Sequence, residues 1–130
     1  MIVTWSKRLL ERLSNKKYRS AYVEQNVKTG IAYQIRNLRG QMSQAEFGKK
    51  IGKPQSVVSR LEDPDYGKLN VQTLLEVAAA LDIALLVKYV TFPEFIHRTR
   101  DVSPEGLHVP PYSQDQFKNY SGINVFNTPP

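Results

Sequence analysis

The sequence predicts a mainly α-helical fold with a single strand toward its C-terminus. Apolar residues recur every three or four positions over 4–40 and again over 71–82, which is the spacing of one helix face. Between these stretches, capping and stop residues divide the chain into short helices. The run 83–92 (IALLVKYVTF) is rich in β-branched and aromatic residues and too short for a good helix, which favours a strand.

The N-terminal 40 residues are predicted to be helical in two parts. The first part carries an apolar residue at every fourth position, namely Trp5, Leu9 and Leu13, and a polar break at 14–17 follows it. The second part places Val27, Ile31, Ile35 and Leu38 at helical spacing. Gly30 lies inside this second helix and weakens it by about 1 kcal/mol relative to Ala.

Residues 43–62 are predicted to form two short helices joined by a turn. Ser43 and Glu46 have the spacing of a capping box, in which each side chain bonds the other residue's backbone amide. Gly52 ends the first helix because glycine adopts the left-handed conformation at little cost. Pro54 then lies near the first position of a second helix over 54–62.

Two helices joined by so short a turn must cross closely, and the sequence supplies what that crossing needs. Gly48 is the small residue at the crossing and Gly52 is the turn glycine. Apolar anchors lie on both helices, at Phe47, Ile51, Val58 and Leu61. A turn-rich loop over 63–68 follows, and Asn70 caps a further helix with the predicted apolar face Val71, Leu74, Leu75, Ala78 and Leu81.

At 100° per residue, the second helix of this pair separates into two faces. Its apolar residues fall on one arc, and its polar residues form the opposite arc, made of Gln55, Ser56, Ser59 and Arg60. Gln binds adenine and Arg binds guanine in a bidentate manner, and Ser can contact a base or a phosphate. Any surface helix also turns polar residues toward water, so the arc alone does not distinguish a DNA-reading helix from an ordinary surface helix. Together with the two glycines and the capping box, it favours a helix that reads the major groove.

The charge is distributed unevenly along the chain. The net charge is +6, but residues 1–60 hold 13 Lys and Arg against 3 acidic residues, a balance of +10. Residues 61–130 hold 5 Lys and Arg against 9 acidic residues, a balance of −4. This asymmetry predicts that the first half meets a polyanion such as double-stranded DNA.

Other function classes find little support in the sequence. The absence of Cys excludes disulfides, iron–sulfur clusters and Cys-ligated zinc. His97 and His108 lie in no metal-ligand pattern, and neither a phosphate-binding loop nor a nucleophile elbow is present. We therefore expect no catalytic residue, no metal and no cofactor, and a protein that is not an enzyme. No apolar run reaches the roughly 20 residues of a membrane span, and we expect neither a secretory signal nor a membrane partner.

The segment SQAEFGKKIGKPQSVVSRLE (43–62) resembles the helix-turn-helix of the Cro/repressor (XRE) family. The similarity extends through VQTLLEVAAALDIALLV and back into IAYQIRNLRG, so it covers roughly 31–87. It implies a lambda-repressor-like helix-turn-helix bundle in which 54–62 is the recognition helix. It also implies a DNA-binding regulator in the cytoplasm of a bacterium, encoded by the host or by a mobile element.

The resemblance assigns roles residue by residue. Gln44 and Lys53 match phosphate-contacting positions, and we add Ser43 and Lys68 to the phosphate set. Base-reading positions are matched by Gln55, Ser56 and Arg60, with Ser59 beside them. Two positions depart from the pattern. Pro54 replaces a frequent Thr or Ser, and Asn37 occupies the place where many relatives have an Arg that pairs with the Glu ending the recognition helix, so Glu62 is left without that partner.

The predicted strand needs a neighbour, because a lone strand is unstable. Leu85, Val87 and Tyr89 would face one way, and pairing with the same strand of a second copy would give a homodimer with two recognition helices about one DNA turn apart. Pairing with 122–126 (GINVF) of the same chain is the alternative.

The chain divides into four predicted parts, and two functions remain open. The parts are an N-terminal helical extension (1–26), the helix-turn-helix domain (27–82), a dimerisation element (83–100) and an irregular tail (101–130). The favoured function is a repressor that binds a palindromic operator as a homodimer. The alternative is an antitoxin that binds a toxin protein, through the aromatic residues of the tail, and represses its own operon.

Overall fold

The computed structural model describes residues 6–113 and 115–118. These residues form eight helices and no strand. The helices are α1 (Lys7–Leu13), α2 (Lys16–Arg39), α3 (Gln44–Ile51), α4 (Gln55–Leu61), α5 (Val71–Leu81), α6 (Phe92–Thr99), α7 (Pro104–Leu107) and α8 (Asp115–Lys118). Across the described ranges, no helix combines the length and the apolar character that crossing a bilayer requires.

The long helix α2 organises the molecule. Its 24 residues make it about 36 Å long. The predicted polar break is the place where α1 ends and α2 begins, and the Asn15 side chain caps α2 by accepting from the Tyr18 amide at 3.0 Å. Gly40 ends the helix at a positive φ of 59°. Because α2 runs through positions 26 and 27 without a break, the predicted extension and the helix-turn-helix share one helix.

The main core lies where the second half of α2 meets α3, α4 and α5. Its buried residues are Ile35, Phe47, Ile51, Val58, Leu61, Val77 and Leu81. Phe47 and Val58 have no exposed surface, and Ile51 and Leu61 are also buried, which confirms the four predicted anchors.

The turn between α3 and α4 has the predicted construction. Gly52 has a left-handed φ of 70° and ends α3, and a Cβ on Gly48 would lie 2.5 Å from the Lys53 carbonyl oxygen. The Ser43 hydroxyl caps α3 by accepting from the Glu46 amide at 3.1 Å, but Glu46 is exposed and makes no return bond. Pro54 precedes the first turn of α4 as its cap residue, so α4 begins one residue later than predicted.

Helix α5 follows its predicted bounds but presents a different face. Asn70 caps it by accepting from the Thr73 amide at 2.8 Å. The residues of α5 that pack into the core have the spacing of one helix stripe, and they are Leu74, Val77, Ala78 and Leu81. Val71 and Leu75 are exposed, contrary to the predicted face, because the first turn of α5 extends past the core and Leu75 lies about 100° around the helix from Leu74.

Residues 83–91 form no strand within the single chain, which corrects the predicted strand over 83–92. No backbone amide or carbonyl from 84 to 90 is hydrogen-bonded within the described residues. A strand needs a neighbour, and the described part of the chain offers none. The alternative partner, 122–126, lies outside the described residues. Pairing of Leu85, Val87 and Tyr89 across two copies stays a prediction.

A second, smaller core lies at the N-terminal end of α2, where α1 and α6 pack. Leu13 and Ile96 are buried there, and Phe95 meets Tyr22 edge to face with ring centroids 6.2 Å apart. Thr91 caps α6 and Pro93 lies in its first turn. Trp5, predicted to pack with Leu9 and Leu13, lies outside the described residues.

Residues 101–113 cross the molecule as a strap that is irregular apart from the four residues of α7. Gln34 and Asn37 on α2 donate side-chain hydrogen bonds to the carbonyls of Leu107 (3.2 Å) and Pro104 (3.4 Å). The Tyr112 amide donates to the Asp82 carbonyl at 2.8 Å. Between these anchors, Val109 lines a cavity of about 90 Å³ between α2 and α5.

The close crossing at Gly48 makes a stability prediction. Gly48→Ala should lower the free energy of unfolding by roughly 1–3 kcal/mol, because the added Cβ overlaps a backbone carbonyl that cannot move easily. Gly30→Ala is the matched control, since nothing lies within 4 Å of its Cβ position and alanine improves helix propensity by up to about 1 kcal/mol. Urea unfolding of both variants checks the prediction, and equal effects at the two positions would contradict it.

Candidate nucleic-acid interface

A buried carboxylate lies directly behind the predicted recognition helix. Glu62, at the end of α4, is 3% exposed. Arg39 from α2 donates to both of its oxygens, with Nε 2.7 Å from Oε2 and Nη2 3.0 Å from Oε1. The hydrogen bond from Arg39 to Glu62, aided by their opposite charges, raises the pKa of Arg39 above its usual range despite partial desolvation. This fork geometry makes the pair a strong, charge-assisted one.

The identity of this partner corrects the expectation for Glu62. The family position for the pairing arginine is Asn37, which instead binds the Pro104 carbonyl of the strap. Arg39, two residues later on α2, supplies the charge. Arg36 adds a bond from Nη2 to the Glu62 backbone carbonyl at 3.1 Å and thus caps the end of α4.

A chain of side-chain hydrogen bonds continues from Glu62 to the start of α4. Gln44 donates from Nε2 to Glu62 Oε1 at 3.3 Å. Gln55 then donates from its own Nε2 to Gln44 Oε1 at 3.4 Å. The side-chain amide of Gln55 is therefore oriented by a network that begins at a buried ion pair, and its Oε1 accepts no hydrogen bond within the described residues.

The predicted polar arc lies on the solvent side of α4. Val58 and Leu61 face the core, whereas the four predicted base-reading residues are all exposed: Gln55, Ser56, Ser59 and Arg60. The arrangement offers amide, hydroxyl and guanidinium groups along one face of a helix two turns long. Their contact with DNA bases stays a prediction.

The predicted phosphate residues are in different environments. Lys53 is held by α5, because its Nζ lies 2.9 Å from each carboxylate oxygen of Glu76. Ser43 uses its oxygen as the cap of α3. Lys68 is exposed in the loop after α4 and makes no ion pair within the described residues. Of the two predicted phosphate-binding lysines, only Lys68 therefore carries an uncompensated charge in this structure.

Three residues at this site were missed by the sequence analysis. Arg39 and Glu76 hold Glu62 and Lys53, and Tyr66 lies in the loop with its ring centroid 5.6 Å from the Arg60 guanidinium carbon. The identity of the first depends on which residue of α2 faces Glu62, which spacing along the chain does not report. No sequence spacing points to the other two, because both contacts join separate elements.

A turn glycine, a glycine at the crossing and an exposed polar arc on the second helix define a DNA-binding helix-turn-helix domain. Residues 33–87 match the family model described as helix-turn-helix. This part of the chain forms a helix-turn-helix domain of the XRE type, which supports a role as a DNA-binding regulator. No curated protein and no solved structure significantly matches the chain.

The ion pair at Glu62 makes the second prediction. Arg39→Ala should lower the free energy of unfolding by roughly 2–3 kcal/mol, because it leaves a buried carboxylate without its main partner. Arg36→Ala is the control and should cost less than about 1 kcal/mol, since that side chain is 53% exposed and its Nε is 3.9 Å from the carboxylate. Guanidinium unfolding curves measure both, and a costlier Arg36 variant would refute the assignment.

Proposed function

We propose that the protein is a sequence-specific repressor that binds a palindromic operator as a homodimer through α4. The observation that carries this proposal is the exposed arc of α4, backed by the hydrogen-bond network from Glu62 to Gln55. Repression follows from occupation of promoter DNA. The cytoplasm of a bacterium, with the gene on its chromosome or on a mobile element, is the corresponding location.

Each residue of the arc has a role in this proposal. Gln55 Oε1 is available to accept from the adenine amino group, and Arg60 donates to guanine O6 and N7. Ser56 and Ser59 lie between them and donate to bases or to the phosphates at the groove edge. These contacts give specificity, because they report the identity of the base pair.

The phosphate contacts come from the flanks of α4. Gln44 lies in the first turn of α3, where free backbone amides also face an anion. Ser43 keeps its hydroxyl hydrogen as a donor, and Lys68 supplies a free charge. Lys53 reaches phosphate only when its ion pair with Glu76 opens, so its contribution is smaller than that of a free lysine.

The dimer proposal rests on the extended segment 83–91. Leu86 is 75% exposed and Val87 66% exposed, and the backbone from 84 to 90 has free donors and acceptors within the described residues. Antiparallel pairing of this segment with its copy would satisfy these groups and bury Leu85, Val87 and Tyr89 together. A two-fold axis there would present two α4 helices to half-sites of a palindrome.

Substitutions in and beside the arc test the DNA-binding role. Arg60→Ala should weaken binding to the operator by roughly 5- to 150-fold, the loss of one bidentate base contact worth about 1–3 kcal/mol, and should relax selection at one base pair per half-site. Lys68→Ala is the control and should weaken all DNA sequences alike and reduce the salt dependence of binding. Selection of bound sequences from random DNA gives the operator and the readout. An unchanged base preference in Arg60→Ala would refute the role of that residue.

A backbone substitution tests the dimer. Val87→Pro removes an amide donor from the middle of the segment. It should therefore convert the dimer into a monomer of 14.9 kDa. Leu75→Gln, at an exposed position of α5, should leave the dimer intact. Sedimentation at micromolar concentration checks both. A wild-type chain that sediments as a monomer, or a Val87→Pro variant that remains dimeric, would refute this interface.

The antitoxin function is the second candidate, favoured by aromatic residues near the C-terminus. Tyr112 and Phe117 are both exposed and contact each other edge to face, with ring centroids 5.9 Å apart. Such a pair is suited to insertion into a pocket of a protein partner. A toxin-like reading frame beside the gene, whose product co-purifies with this chain and is released by Tyr112→Ala, would favour this function over repression alone.

A further inference from the structure

Arg60 is an arginine held without hydrogen bonds. Within the described residues its guanidinium makes neither an ion pair nor a hydrogen bond, and its only polar contact is with the Tyr66 ring, whose centroid is 5.6 Å from the guanidinium carbon. Two other cations near α4 differ in this respect, since Arg39 and Lys53 are each bound by a carboxylate.

An aromatic ring restrains an arginine in a way that a carboxylate does not. A carboxylate accepts the guanidinium N–H groups, so those donors must be released before they can bind anything else. A ring attracts the cation through its quadrupole and takes up no strong hydrogen-bond donor. The five N–H groups of Arg60 therefore remain available for guanine O6 and N7.

The loop after α4 places Tyr66 beside the end of that helix. The Asp63 amide donates to the Arg60 carbonyl at 3.2 Å, and the Tyr66 amide donates to the Asp63 carbonyl at 3.2 Å. Asp63 Oδ1 accepts from the Asp65 amide at 2.9 Å, which occupies that oxygen and turns the chain. Gly67 follows with a φ of 69°, a conformation that other residues rarely adopt.

Tyr66 is also supported from the side. It is half-buried and lines a shallow pocket at the junction of α4, the loop and the start of α5, together with Val57, Leu69 and Thr73. Tyr66 is half-buried at this pocket, whereas Arg60, which also lines it, is exposed. A long arginine placed against a fixed ring loses part of its rotamer freedom before DNA arrives, which lowers the entropy that binding must overcome.

We propose that Tyr66 is a positioning residue that sets the base preference of Arg60 without contacting the base. This inference rests on the proposed DNA-reading role of α4. It predicts that the ring matters and that the phenolic hydroxyl does not. It also predicts that the effect of Tyr66 is transmitted through Arg60 alone.

The test uses the full-length chain and the operator obtained by selection from random DNA. Tyr66→Leu should weaken operator binding by roughly two- to five-fold, the value of an exposed cation–π contact. Tyr66→Phe should stay within two-fold of the wild type because it keeps the ring. In an Arg60→Ala background, Tyr66→Leu should have no further effect. Binding to random-sequence DNA should be the same in all Tyr66 variants, and thermal unfolding confirms that each variant is folded.

The outcomes separate this inference from the function on which it rests. An equal loss from Tyr66→Leu with and without Arg60, or a Tyr66→Phe variant as weak as Tyr66→Leu, would overturn the positioning role while Arg60 still reads its base pair. An unaffected Tyr66→Leu variant would do the same. A wild-type chain that selects no DNA sequence would overturn the proposed function, and the positioning role with it.

Discussion

The ion pair of the buried Glu62 carboxylate with Arg39 is the interaction on which the candidate nucleic-acid interface depends. Removing a charge from water is costly unless partners replace its hydration, and here Arg39 and Gln44 bind the carboxylate while Arg36 bonds the Glu62 backbone carbonyl. These partners come from α2 and α3, whereas Glu62 ends α4, so satisfying one carboxylate fixes three helices relative to one another. Gln55 is oriented through the same network, because Gln44 bonds both residues. Helix α4 therefore has its position and its first polar side chain set by one buried charge.

Helix α2 extends this constraint to the rest of the molecule. Its C-terminal end carries Arg36 and Arg39, and its N-terminal end packs with α1 and α6 around Leu13 and Ile96. The family match begins at residue 33, so most of α2 lies outside it. The strap over 101–113 binds the C-terminal third of the same helix through Gln34 and Asn37. The segments beyond the matched domain are thus attached to the helix that holds Glu62.

Local chemistry could be predicted from the sequence, and long-range pairing could not. Ser43, Gly52 and Asn70 act through bonds or dihedral angles within four residues of themselves, so their roles followed from spacing alone. Gly48 was also predictable, because the short turn forces a close crossing. The partner of Glu62 depends on which residue of α2 faces α4, and the segment 83–91 lacks the neighbour that a strand requires. The order of 101–113 arises from contacts with residues about 70 positions away, which no periodicity reports.

Long-range ion pairs also change how the charge asymmetry along the chain is interpreted. The balance of +10 over residues 1–60 counts every lysine and arginine as free. In the folded chain, Lys28, Arg39 and Lys53 are each held by a glutamate, and for the last two that partner comes from the acidic half of the sequence. Part of the negative charge beyond residue 60 therefore neutralises the positive charge before it, inside the domain itself. Within the described residues, Arg60 and Lys68 make no ion pair. Arg60 contacts the Tyr66 ring instead of a carboxylate. Paired cations contribute little to counterion release, so the proposed affinity for DNA in general depends on the lysines and arginines that the fold leaves unpaired.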